Sequence, residues 1–150
     1  MRNSLKYQMR VISTIIVLVF VFLFRSQPAN GQRVSIDTLV WNSTRAVDQI
    51  NPDTALYSCQ FITRGSQSLD WVQRGGARIS HYIVNGVDGT WPDMTMDGQV
   101  VYHVTLNSYS GKFTLVKSGG QLTVHMSISD SGQGPPMDYL FYISSITPGQ

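Results

Sequence analysis

Hydrophobic and polar residues alternate along several short segments of the chain. In residues 121–129, polar positions separate four apolar ones, which are Leu122, Val124, Met126 and Ile128. Strict alternation predicts a strand with one buried and one exposed face. Val124 is therefore expected on the buried face, with Thr123 and His125 on the opposite one.

The same pattern predicts about eight strands in all. Besides residues 121–129, the strand candidates are residues 34–41, 56–63, 69–73, 78–84, 99–107, 112–117 and 138–146. Short connections that contain glycine join the candidates within residues 99–129, which predicts an antiparallel meander there. Residues 43–50 are the one helical candidate, because Ser43 or Thr44 could cap a turn or two before Pro52 ends it.

Eight strands with alternating faces can bury their apolar sides in two stacked sheets or in one closed barrel. We predict an all-β fold, a single antiparallel β-sandwich or jelly-roll-like domain. Two features favour the sandwich: the strand candidates differ in length, and the long segment 85–98 suits a crossing between two sheets.

The N-terminal segment is typical of an export signal. Residues 11–24 are uncharged and apolar, three basic residues precede them, and Arg25 follows. This run is too short for the ~30 Å hydrocarbon core of a bilayer. Ala29 and Gly31 supply the small residues of a cleavage site. We predict a signal peptide over residues 1–31 and a β domain over residues 32–150, secreted or extracytoplasmic (periplasmic or extracellular) and free of the membrane after cleavage.

Composition supports one packed domain. Hydrophobic residues make up 42% of the 150 residues and charged residues 13%, which argues against a disordered chain. Four of the 11 basic residues precede residue 32, whereas all 9 acidic residues follow it. The predicted domain is therefore slightly acidic, and no nucleic-acid partner is expected.

Motifs for catalysis are missing from the sequence. It contains no Gly-x-Ser-x-Gly elbow, no phosphate-binding glycine loop and no clear pair of carboxylates, so we predict no enzyme activity and no cofactor. The single cysteine, Cys59, excludes an internal disulfide and is expected to be buried on a strand. His81, His103 and His125 are expected at the surface, and no metal site is predicted.

The segment 85–98 supplies the candidate binding residues. It combines one aromatic side chain, Trp91, with four oxygen-bearing ones, Asn85, Asp88, Asp93 and Asp97. Such oxygens suit calcium, but the alternating spacing of a calcium loop is absent, and aspartate before glycine is typical of turns. We therefore treat the five residues as a candidate ligand or partner surface and leave calcium binding open.

A short motif in the same segment resembles a known pair of families. Gly89-Thr90-Trp91 resembles the Gly-x-Trp of lipocalin-like and avidin-like barrels, in which the tryptophan closes one barrel end. The resemblance covers three residues and implies an interior pocket for a small apolar ligand. In those families the motif lies on the first strand, whereas here it lies far along the chain.

The sequence favours a secreted, non-enzymatic binding or assembly module that recognises a protein or carbohydrate partner. The alternative is a lipocalin-like β-barrel carrier of a small apolar ligand, and a hydrolase with unidentified aspartates is a third reading. A cavity of several hundred Å³ would favour the carrier, carboxylates clustered in a cleft would favour the enzyme, and a filled core with exposed aromatic loops would favour the binding module.

Overall fold

The computed structural model describes residues 33–132 and 134–149; the predicted signal peptide, residues 1–31, lies outside them. Within the described ranges, the regular structure consists of eight strands and one turn of 3-10 helix, Arg74–Gly76. The strands are β1 (Thr38–Asp48), β2 (Thr54–Arg64), β3 (Ser68–Gln73), β4 (Arg78–Asp88), β5 (Gly98–Leu106), β6 (Tyr109–Ser118), β7 (Gln121–Asp130) and β8 (Met137–Pro148).

The strands form a closed antiparallel barrel. Each strand pairs with the next one along the chain, and β1 pairs with β8 from Leu39 opposite Pro148 to Asp48 opposite Tyr139. The prediction of eight strands and an all-β fold is confirmed, and the prediction of a sandwich or jelly roll is wrong. Residues 85–98 do not cross between sheets, because they end β4 and begin β5, which are neighbours.

The predicted faces of β7 agree with the structure. Val124 is fully buried and lies between Leu115 of β6 and Phe141 of β8. Thr123 and His125 are partly exposed on the other face. Alternation along β7 therefore separates the barrel interior from its outer surface.

The helix predicted over residues 43–50 is wrong, because β1 continues through most of that segment. The register of β1 shifts between Ser43 and Arg45, which is a β-bulge. An extra residue in one strand reverses the alternation beyond it. As a result Ser43 and Ala46, three positions apart, are both buried, and the period of two that identified the other strands is lost here.

One end of the barrel is closed by two segments outside the strands. Val34, before β1, and Trp91, between β4 and β5, are almost fully buried. The Tyr102 hydroxyl donates to the Val34 carbonyl oxygen at 2.7 Å, and the Val34 N–H donates to the Trp91 carbonyl oxygen at 3.3 Å. The Trp91 ring lies 5.8 Å from that of Trp41, centroid to centroid. These contacts close the barrel at this end.

Candidate ligand-binding cavity

A cavity occupies the opposite end, where β1 and β3 end and β2, β4 and β8 begin. Its volume is about 340 Å³, within the range of about 300–1,000 Å³ that is typical of small-molecule sites. The wall consists of side chains from these strands and from the β1–β2 connection. They are Ala46, Asp48, Asp53, Ala55, Tyr57, Trp71, Gln73, Arg78, Met137, Tyr139 and Phe141.

Aromatic rings form the inner wall of the cavity. Phe141 lies at the centre of the group, with ring centroids 6.2 Å from Tyr57, 5.9 Å from Trp71 and 6.2 Å from Tyr139. Below them, Phe61 packs against Phe141 edge to face at 4.9 Å. Such tilted and edge-to-face contacts are the favourable arrangements of aromatic rings. These contacts therefore hold the rings of the wall in place before any ligand binds.

Two buried nitrogen atoms on β3 have no hydrogen-bond partner among the described residues. They are the Gln73 amide nitrogen, Nε2, and the Trp71 indole nitrogen, Nε1. Gln73 is 5% exposed and Trp71 is 9% exposed. Because buried polar groups are nearly always paired, two unpaired donors on one cavity wall are unusual. Their neighbour Tyr57 donates its hydroxyl hydrogen to Gln73 Oε1 at 2.7 Å.

Cys59 lies beside this wall and is buried, as the sequence predicts. Burial raises the pKa of its thiol to about 11, although the side chains of Trp71 and Ser43 partly oppose the shift. The thiol therefore stays protonated at neutral pH, and thiols in this form are poor nucleophiles. Sulfur is also a weak acceptor, so the Cys59 thiol offers the Trp71 indole N–H only a weak contact, which lies outside ordinary hydrogen-bond geometry.

The rim of the cavity carries charges of both signs. Asp48 Oδ1 accepts hydrogen bonds from the backbone N–H groups of Ile50 at 2.8 Å and Asn51 at 3.1 Å, so this carboxylate caps the β1–β2 turn. Asp53 and Arg78 are exposed. Burial raises the pKa of Tyr57, and the positive charges of Arg78 and Arg74 partly offset the rise. Tyr57 therefore faces the cavity as a neutral phenol.

The candidate residues from segment 85–98 lie at the closed end and do not line this cavity. Trp91 is 1% exposed, and its indole N–H donates to the carbonyl oxygens of Asp93 at 3.0 Å and Met96 at 3.1 Å. The tryptophan of the Gly-x-Trp motif thus closes a barrel end here as well, although its motif follows β4 instead of lying on the first strand.

The four oxygen-bearing candidates each have a local partner. Asn85 donates to Thr105 at 3.2 Å, and Asp88 lies 2.7 Å from His103 Nε2. Asp93 accepts from the backbone and the hydroxyl of Thr95, which lowers the pKa of Asp93. The fourth, Asp97, accepts from the Gly119 N–H at 2.9 Å. Within residues 33–132 and 134–149, no three His, Cys, Asp or Glu side chains converge as a metal site would require.

All three histidines lie on the outer surface, and each contacts an aspartate. His81 Nδ1 lies 2.5 Å from Asp70 and His125 Nε2 lies 2.6 Å from Asp138. Asp70 also accepts a hydrogen bond from the Arg64 guanidinium at 2.6 Å, so its buried carboxylate has two partners. These contacts join neighbouring strands on the outer surface of the barrel.

Sequence reasoning did not find the cavity residues as a site. One signal was available: Leu69, Trp71 and Gln73 alternate on the inward face of β3, so a glutamine continues a buried apolar row. A polar residue in such a row indicates either an internal partner or a ligand.

No helix in the described part of the chain is long and apolar enough to cross a bilayer. No model of a protein family matches the chain, and neither the curated proteins nor the solved structures give a significant match. The cavity therefore has to be interpreted from its own geometry.

Proposed function

We propose that the chain is a secreted, non-enzymatic binding protein that holds a small, mostly apolar molecule in the cavity at the open end of its barrel. The observation that carries the proposal is the cavity of about 340 Å³ with its wall of aromatic rings. Rings held in place before binding lose little conformational entropy when a ligand arrives. The barrel carrier is therefore better supported than the binding module.

A protein or carbohydrate partner on segment 85–98 has less support. Trp91, the one aromatic residue of that segment, is buried, and its indole N–H already has two acceptors. A stacking platform requires an exposed ring face. The four polar candidates of the segment are engaged in turns and strand contacts.

Binding in the cavity can be tested with a small apolar probe, 2-isopropenylnaphthalene. Its titration into the labelled protein should shift the backbone amide resonances of β3 and β8 near the cavity and leave those at the closed end unchanged. Ala46 lines the cavity and is 7% exposed. Ala46→Phe should fill part of the cavity and weaken binding of the probe by about tenfold. The new ring occupies volume in which the probe would otherwise contact the wall.

The matched control is Ala77→Phe, which adds the same ring in the exposed β3–β4 turn outside the cavity wall. It should bind the probe as the unchanged protein does. Absence of any binding, or equal weakening by the two substitutions, would contradict a ligand site at the open end.

Export is the second part of the proposal. The basic start, the apolar run of residues 11–24 and the small residues before Gln32 support it together. When the full chain is expressed in an exporting host, the intact mass of the product should correspond to residues 32–150. Recovery of only the full-length chain, in the membrane fraction, would show that the segment is an anchor.

A further inference from the structure

The polar groups on the cavity wall are unbalanced between donors and acceptors. The hydroxyl of Tyr57 donates a hydrogen bond to Gln73 Oε1. The amide oxygen therefore has a partner, whereas the N–H₂ group has none among the described residues. Trp71 adds an indole N–H, which can only donate. Both residues line the cavity, although neighbouring atoms cover the two nitrogen atoms, so the side chains must turn slightly to meet a ligand. A ligand that satisfies this wall must bring an acceptor.

The charges at the rim decide between a neutral and an anionic acceptor. Among the described residues that line the cavity, Arg78 is the basic side chain, and Arg74 acts on Tyr57 from nearby, while Asp48 and Asp53 stand at the same rim. A carboxylate ligand would have to give up its hydration where Asp48 and Asp53 repel it as Arg78 and Arg74 attract it, so the charges do not offset the cost of desolvation. A neutral oxygen carries no such penalty.

We infer that the cavity selects small cyclic molecules with a neutral carbonyl oxygen, which accepts from the Gln73 amide with the Trp71 indole as a second donor. The inference rests on the proposed function and names its ligand class. The apolar ring of such a molecule packs against the aromatic wall, while the two donors fix the orientation of its oxygen.

Two probes of equal shape test the inference. 2-Acetylnaphthalene and 2-isopropenylnaphthalene differ only in an oxygen atom that replaces a CH₂ group. Because an apolar cavity favours the hydrocarbon, which is harder to hydrate, tighter binding of the ketone requires a donor in the site. Calorimetric titration of the full mature protein should show the ketone binding about tenfold more tightly.

A substitution then assigns the donor. Gln73→Met keeps the length of the side chain and removes the amide, so it should abolish or reverse the preference for the ketone while the hydrocarbon still binds. Gln60→Met makes the same change on the exposed outer face of β2 and should leave the preference unchanged. Trp71→Phe should reduce it partly.

Each outcome decides one statement. If the hydrocarbon binds the unchanged protein and the ketone binds no more tightly, the ligand class is wrong while the carrier function stands. If neither binds, the carrier function fails as well. Tighter binding of 2-naphthoate than of the ketone would overturn the neutral acceptor. Since these comparisons use the unchanged protein, they hold even if Gln73→Met does not fold.

Discussion

Val124→Asp is expected to unfold the barrel. Val124 is fully buried between the apolar residues Leu115 and Phe141, so the new carboxylate would be removed from water. Burying an unpaired charge costs several kcal/mol, a large share of the roughly 5–15 kcal/mol that stabilises a typical domain. Circular dichroism of the purified protein should show no cooperative thermal transition.

The control for this substitution lies one position away. Thr123→Asp introduces the same carboxylate on the outer face of β7, where water remains in contact with it. Surface substitutions change the free energy of unfolding by about 0.5 kcal/mol or less. Equal shifts in the melting temperature for the two variants would contradict the assignment of faces along β7.

Trp91→Ala is expected to lower the free energy of unfolding by about 3–5 kcal/mol, as the loss of a large buried aromatic ring does. The substitution removes the ring contact with Trp41 and leaves a space at the closed end of the barrel. Gly98 packs so closely on the indole that a Cβ atom there would overlap it. Urea denaturation of the two proteins measures the difference.

Met96→Ala is the matched control in the same connection. The Met96 side chain is 65% exposed, and its carbonyl oxygen, which accepts from Trp91, is retained. This variant should unfold as the unchanged protein does. An unaltered melting temperature for Trp91→Ala would mean that the ring does not support the closed end, and segment 85–98 would become the first surface to test for a partner.

Alternation of apolar and polar residues located seven strands closely, but it found only the start of β1, because the bulge breaks the alternation beyond Ser43. It could not distinguish a barrel from a sandwich, since the faces alternate in the same way in both. The decisive pairing joins β1 to β8, where Val40 lies opposite Thr147. No local pattern records a pairing between residues so far apart along the chain.

The cavity was hidden from sequence reasoning for a related reason. Tyr57, Trp71 and Phe141 each lie on the inward face of a predicted strand, but they meet only because the barrel closes. The bulge in β1 removed a further clue, because it brings Ala46 inward at a position where strict alternation fails. Segment 85–98, with its aspartates, looked more like a site because its features are contiguous in sequence.

The pairing of β1 with β8 also determines the order in which the chain can fold. Every other pairing joins consecutive strands and can form as a local hairpin, whereas this one must wait until the last strand, Met137–Pro148, is available. Until then the first and last strands of the growing sheet expose unpaired backbone groups that can recruit other chains. Ring closure is therefore the step at which the protein becomes protected from aggregation.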